Sequence, residues 1–143
     1  MAVTTKVYAR AFTALSNKEV DWGTDAIKVM LCTSAYTPDQ SAHDYKADVT
    51  NEVTGAGYTA RGATLATKTE AIAGLVKTFD AADVQWASST ITARYAVIYD
   101  DATGVDATAP LLAYVDFGAD VVSSGGPFDI AWNASGIFTI TVA

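Results

Sequence analysis

The chain is a succession of short apolar segments separated by clusters of turn-forming residues, and this pattern most constrains its fold. The segment 91–99 alternates most regularly, because every second residue is apolar and Thr92 and Arg94 lie between them. Alternation of this kind predicts a strand with one buried face. Further strands are predicted at 25–33, 71–79 and 111–117. Short strands at this spacing favour a mainly β domain, an antiparallel β-sandwich or jelly-roll-like fold, over an α/β fold.

Turn-forming residues divide the rest of the chain. The run Ser-Ser-Gly-Gly-Pro at 123–127 predicts a turn. The segments 128–132 and 137–142 after it are predicted to form a closing hairpin. The polar segment 39–63 is long for a loop, so it is predicted either to be functional or to contain short strands, near 49–53 and 58–65.

The N-terminal segment 4–16 predicts one helix in front of the strands. Its apolar residues recur at helical spacing and share one face, namely Val7, Tyr8, Ala11, Phe12 and Leu15. Two interpretations remain open for this face. It packs against the sheet, or it docks onto a neighbouring subunit, in which case Tyr8 and Phe12 are candidate interface residues.

Composition narrows the classes of function. The length of 143 residues predicts a single domain over 1–143. Half of the residues are apolar and only 17% are charged, which argues against disorder. The net charge of -7 argues against a nucleic-acid partner, since phosphate binding depends on Lys and Arg. No apolar run approaches the roughly 18–20 residues of a membrane span, so no membrane partner is expected.

Residues that could support chemistry are few. His43 and Cys32 are the only histidine and cysteine, which are too few for a typical zinc site. The sequence also lacks the Gly-x-Ser-x-Gly motif that would supply a serine nucleophile for His43 to activate as a general base. The acidic loop 100–106 lacks the spacing of a calcium-binding loop. Phosphate-binding glycine motifs are also missing from the sequence. We therefore expect a non-enzymatic protein with no cofactor and no metal.

Three tyrosines stand out because they lie in polar sequence. Tyr36, Tyr45 and Tyr58 surround the single His43 in the segment 34–65. Tyrosine is common at interfaces, where it gives contact area at low entropic cost. The alternative is that these rings cover the edge of the core. Both interpretations stay open, and all four residues are candidate interface residues.

Several short sequence segments, spread over nearly the whole chain, resemble those of a known protein family. They include Asp-Trp at 21–22, Ser-Ala-Tyr-Thr-Pro at 34–38, His-Asp-Tyr at 43–45, Asp-Val-Thr-Asn-Glu-Val at 48–53, Ala-Arg-Tyr-Ala-Val at 93–97 and Leu-Ala-Tyr-Val-Asp-Phe-Gly at 112–118. In these segments the chain resembles a family of small structural proteins of tailed bacteriophages, taken as head decoration, head-fibre or minor tail components.

The resemblance implies a role in virion assembly rather than catalysis. The expected function is capsid decoration, in which many copies bind and stabilise the assembled head. The expected partners are the major capsid protein or other virion proteins. It also implies a homo-oligomer, for which a trimer is one arrangement, and a protein made in the host cytoplasm and located in the virion. The helix at 4–16 and the segment 39–63 are then the expected contact surfaces.

A second hypothesis belongs to a different class. A tail-associated or fibre β domain could bind a carbohydrate or receptor through exposed tyrosines and the loop 100–106, with calcium as a further ligand. Stabilisation by calcium or retention on a glycan array would favour this hypothesis.

Overall fold

The computed structural model describes residues 3–142, which form eight strands and one α-helix. The strands are β1 (Thr4–Val7), β2 (Ile27–Cys32), β3 (Ala63–Thr64), β4 (Thr69–Ala73), β5 (Val76–Asp80), β6 (Val84–Asp100), β7 (Leu111–Ile130) and β8 (Phe138–Thr141), and the helix α1 spans Ala9–Ser16. All strand pairs are antiparallel. The predicted mainly β, antiparallel fold with an N-terminal helix is confirmed.

A large sheet of five strands has the order β1-β7-β6-β2-β3. Its centre is a long hairpin of β6 and β7, which pair from Val84 opposite Ile130 to Tyr99 opposite Leu111 with several register shifts between. Strand β2 pairs with the second half of β6, so this half lies between β2 and β7 in the sheet. The side chains on both faces of this half are buried or half-buried. The predicted strands 25–33, 91–99 and 111–117 all lie in this sheet.

The N-terminal prediction is wrong in its first half. Residues Thr4–Val7 are not helical but form the edge strand β1, paired with β7 from Thr4 opposite Asp116 to Val7 opposite Ala113. Three of these four residues are β-branched, which favours an extended backbone. The remaining helix buries Ala11 and Ala14 and leaves Phe12 58% exposed.

The predicted turn at 123–127 and the closing hairpin after it are also wrong. Residues 123–127 lie inside β7, where Gly125, at φ +72°, falls in a register shift against β6. A bulge absorbs the extra residue, so pairing with β6 continues through the glycines. Residues 128–130 therefore stay in the large sheet, while β8 pairs with β5 in the other sheet.

The small sheet has the order β4-β5-β8. The strand predicted at 71–79 is two strands, because the chain reverses at Gly74, which has a φ of +60°. Glycine adopts this left-handed conformation without the steric cost that a Cβ adds. Strand β5 then pairs with β8, with Phe79 opposite Phe138.

The main core contains aromatic residues from both sheets, an arrangement consistent with a β-sandwich. Phe79 and Phe138 stack with ring centroids 4.7 Å apart, and Trp22 meets them edge-on at 5.3 and 5.7 Å. Trp86 packs against Phe128 further along the long hairpin. Edge-to-face and offset pairs of this kind stabilise a core beyond the area they bury.

A second core cluster lies on the opposite face of the large sheet. It includes Met30 and Cys32 from β2, Tyr99 from β6 and Leu111 from β7. Burial raises the pKa of the Cys32 thiol to about 12, so the thiol is protonated at neutral pH and a poor nucleophile.

Candidate interaction surface

Two of the predicted interface residues are core residues. Tyr8 and Tyr36 are almost completely buried, and their hydroxyls are 2.9 Å apart in a hydrogen bond. Burial raises the pKa of both phenols, that of Tyr36 to about 12. Their prediction as contact residues is wrong for this structure, because a buried side chain offers no area to a partner. They instead fasten the segment after β2 to the start of α1.

His43 lies where this buried pair reaches the surface. Its Nδ1 is 3.0 Å from the Tyr36 hydroxyl and accepts a hydrogen bond from the Asp39 backbone N–H at 3.3 Å. The imidazole also stacks on the Tyr36 ring, with centroids 5.7 Å apart. His43 is half-buried, so one part of the ring is accessible and the other positions the loop.

Tyr45 links the same loop to the helix. Its ring lies under the Arg10 guanidinium at 4.5 Å, and Arg10 also donates to the Tyr45 hydroxyl and to Glu19. Phe12, on the same helix, projects into solvent. The half-buried Tyr45 and the exposed Phe12 therefore remain candidate contact residues.

Tyr58 has a structural role in addition to any contact it makes. Its hydroxyl accepts the Leu31 N–H at 2.9 Å and donates to Glu52 Oε1 at 2.9 Å, and its ring packs against Trp86. Burial raises its pKa above the ordinary value for tyrosine. Glu52 Oε1 also accepts the Arg61 backbone N–H at 2.6 Å, so this group ties the end of the segment 39–63 to β2.

Ion pairs join this long segment to the loop between β6 and β7. Arg61 binds both Asp101 and Asp106, Lys28 binds Asp101 at 3.0 Å, and Lys46 binds Asp106 at 3.0 Å. Partial burial alone would raise the pKa of both carboxyls, but these cations outweigh it and hold both pKa values below the ordinary value. The Asp101 side chain is only 6% exposed, so the pair with Arg61 is shielded from solvent on that side. The network fixes two loops that are far apart in sequence.

The acidic loop 100–106 therefore differs from an open ligand-binding loop. Asp101 and Asp106 form ion pairs with Lys and Arg side chains, and Asp100 is 1% exposed. Asp100 Oδ1 accepts the Ala102 N–H at 2.8 Å, whereas its buried Oδ2 has no hydrogen-bond partner within residues 3–142. Burial, and next the nearby Asp25 carboxyl, raise the pKa of Asp100 to about 7.

The sequence interpretation missed a set of exposed apolar residues on the small sheet. Ile72, in β4, is 73% exposed, and Leu75, in the turn, is 64% exposed. Val142 is exposed as well, and its N–H bonds to the Leu75 carbonyl at 2.8 Å. The half-buried Ile140 lies beside them in β8. We call Ile72, Leu75, Ile140 and Val142 the open face. Gly74 between two apolar residues was the available signal, since it marks a hairpin tip.

Residues 3–142 contain no group of three or more His, Cys, Asp or Glu side chains placed to hold a metal ion. Within the same residues no helix has the length and apolar character needed to cross a membrane. No protein-family model, curated protein or solved structure matches the chain.

Proposed function

We propose that this chain is a non-enzymatic structural protein of a tailed-bacteriophage virion, most specifically a capsid decoration protein that binds the assembled head in many copies. The partner is the major capsid protein or another head protein, and the copies form a homo-oligomer. The family resemblance described above suggests this role. Stabilisation would follow from mass action, since a protein that binds only the assembled lattice favours that state.

The structural observation that carries the proposal is how the polar side chains of the two long loops are used. Arg61, Lys46, Asp101 and Asp106 hold the loops to each other, and Glu52 holds the backbone and Tyr58. These groups stiffen the molecule rather than face a common substrate. A rigid domain loses little conformational entropy when it binds, which suits a protein that coats a lattice.

The surface supports the same proposal. Apolar side chains protrude at separate places, including Phe12 on the helix, Val122 on β7 and the open face. Single exposed apolar residues are ordinary, but a cluster at a protruding edge is typical of a contact surface. The net charge of -7 would keep unassembled copies soluble.

Quantitative mass spectrometry of purified heads, separated from tails, tests the proposal. The decoration role predicts this chain in the head fraction at a fixed copy number relative to the major capsid protein. Its recovery only with tails, or only in the soluble lysate, would contradict the proposal.

The second candidate is a carbohydrate-binding domain of a tail or fibre, and one groove favours it. This groove, of about 390 Å³, lies between the segment after β2 and the hairpin of β6 and β7. Six of its ten lining residues carry hydroxyls, namely Thr33, Thr54, Thr90, Thr92, Ser123 and Ser124. Retention on a glycan array that is lost in Thr92→Val would support this candidate.

A further inference from the structure

We propose that the open face is a self-association surface, where one copy of this chain packs against the same surface of a second copy to form a two-fold pair. The inference rests on the homo-oligomer part of the proposed function and assigns the residues that meet. It does not depend on which other surface would contact a head.

The open face is the uncovered continuation of a core-forming sheet face. Ile72 and Ile140 both lie opposite Lys77 in the register of the small sheet, on the face that also carries Phe79 and Phe138. Phe79 and Phe138 are buried against Trp22, but the sheet extends beyond the part that is covered. Covering the apolar side chains on the inner face of a sheet with a second layer lowers the free energy, because their surface is removed from water.

A groove beside the open face leaves room for the second layer. It measures about 580 Å³ and runs between the end of α1 and the small sheet. Leu15, Val20, Trp22, Phe79 and Ile140 supply its apolar lining. A side chain such as Leu75 of a second copy could enter this groove as an apolar anchor.

The charges around the groove suit a second copy of the chain as the occupant. The rim carries two cations, Lys18 and Lys77, and two anions, Asp21 and Glu70, and therefore has no net charge. The whole chain has a net charge of -7, so most other ways of joining two copies would bring acidic surfaces together. Lys77 and Glu70 already form an ion pair within one copy, at 2.9 Å. In a two-fold pair Lys18 of one copy can approach Asp21 of the other, and the same contact is made in reverse.

Sedimentation velocity of the purified full chain at micromolar concentration tests the inference. The wild-type protein is expected to sediment as a pair, and Ile72→Asp and Leu75→Asp are expected to shift it to the monomer. Val122→Asp is the matched control, because Val122 is 66% exposed, much like Leu75 at 64%, but lies on β7. It should leave the pair intact.

A cross-link gives a second readout that does not depend on loss of binding. Leu75→Cys combined with Lys18→Cys should form a disulfide between copies under mild oxidation, because Leu75 of one copy enters the groove whose rim carries Lys18 of the other. Val122→Cys combined with Lys18→Cys should not. The native Cys32 is buried and should not compete. A monomeric wild-type protein, or a pair that resists both aspartate substitutions, would overturn the inference. A monomer still found at fixed copy number on heads would overturn it without affecting the decoration proposal.

Discussion

The buried Asp100 carboxyl should make the protein less stable as the pH rises from about 4 to 7. The perturbation that isolates this effect is Asp100→Asn, which keeps the size of the side chain and an oxygen for the Ala102 N–H but cannot ionise. Asp25 is the other carboxyl beside this group. Lys68 is a cation that acts on the Asp100 carboxyl in the opposite sense, and its Nζ donates to the Asp25 backbone carbonyl. The environment therefore favours the protonated acid through burial and through Asp25.

The magnitude follows from the linkage between proton binding and folding. Folding raises the pKa of Asp100 from its ordinary 3.8 to about 7. Between these values the folded state holds a proton that the unfolded state has released, so the free energy of unfolding falls with pH. At about 1.4 kcal/mol per pH unit, this carboxyl alone would cost up to about 4 kcal/mol at pH 7 and above, and nothing below its ordinary pKa.

Urea unfolding of both proteins at several pH values between 4 and 8 provides the measurement. The stability of Asp100→Asn relative to wild type should rise across this range and level off above pH 7. Carboxyls with a lowered pKa, such as Asp101 and Asp106, have the opposite pH dependence but are common to both proteins. Asp120→Asn, at an exposed position, is the control and should change stability by less than about 0.5 kcal/mol at every pH. A difference between Asp100→Asn and wild type that is constant with pH would refute the reasoning.

Four further substitutions test the framework by chemical denaturation. Gly104→Ala, at φ +67° in open space, should lower the free energy of unfolding by about 1–2 kcal/mol. Gly62→Ala, at φ +76°, should lower it by about 1–3 kcal/mol more, because its Cβ would overlap the Val29 carbonyl. Equal losses of stability in the two variants would contradict this packing. Arg61→Gln should lower the free energy of unfolding by about 1.5–3 kcal/mol and speed proteolysis of the segment 39–63, because Asp101 and Asp106 lose a charged partner. An unchanged denaturation midpoint and an unchanged cleavage rate would show that these ion pairs contribute nothing to stability. Phe138→Ala should cost about 3–5 kcal/mol by opening a cavity beside Phe79 and Trp22, and a loss below about 1 kcal/mol would contradict the aromatic core.

The fold class could be predicted because alternation is a local property of the sequence. The segment 91–99 carries this pattern and forms the centre of the large sheet. Strand β6 begins earlier, at Val84, and its second half is covered on both faces, so alternation there does not separate buried from exposed residues. Local turn chemistry failed at 123–127 for a related reason, since pairing with β6 outweighs the preference of Ser-Gly-Gly-Pro for a turn.

The candidate surface was harder to predict because it depends on which segment covers which face. Tyr36 lies in polar sequence, yet the segment around it folds over the large sheet and buries it. The ion pairs that hold this cover join residues far apart in the chain, as in Lys46 with Asp106, 60 residues away. No pattern within a short window encodes such pairs. Phe12 and Tyr8 share the same helical spacing, yet Phe12 is 58% exposed and Tyr8 is buried. The spacing alone therefore did not decide between packing on the sheet and an exposed docking face.

Gold-labelled antibody against this protein, applied to purified phage particles and viewed by electron microscopy, tests the decoration role most directly. Particles assembled without the gene are the control for antibody specificity. The proposal predicts label distributed over the heads. Label confined to the tail tip, or particles without label, would contradict it.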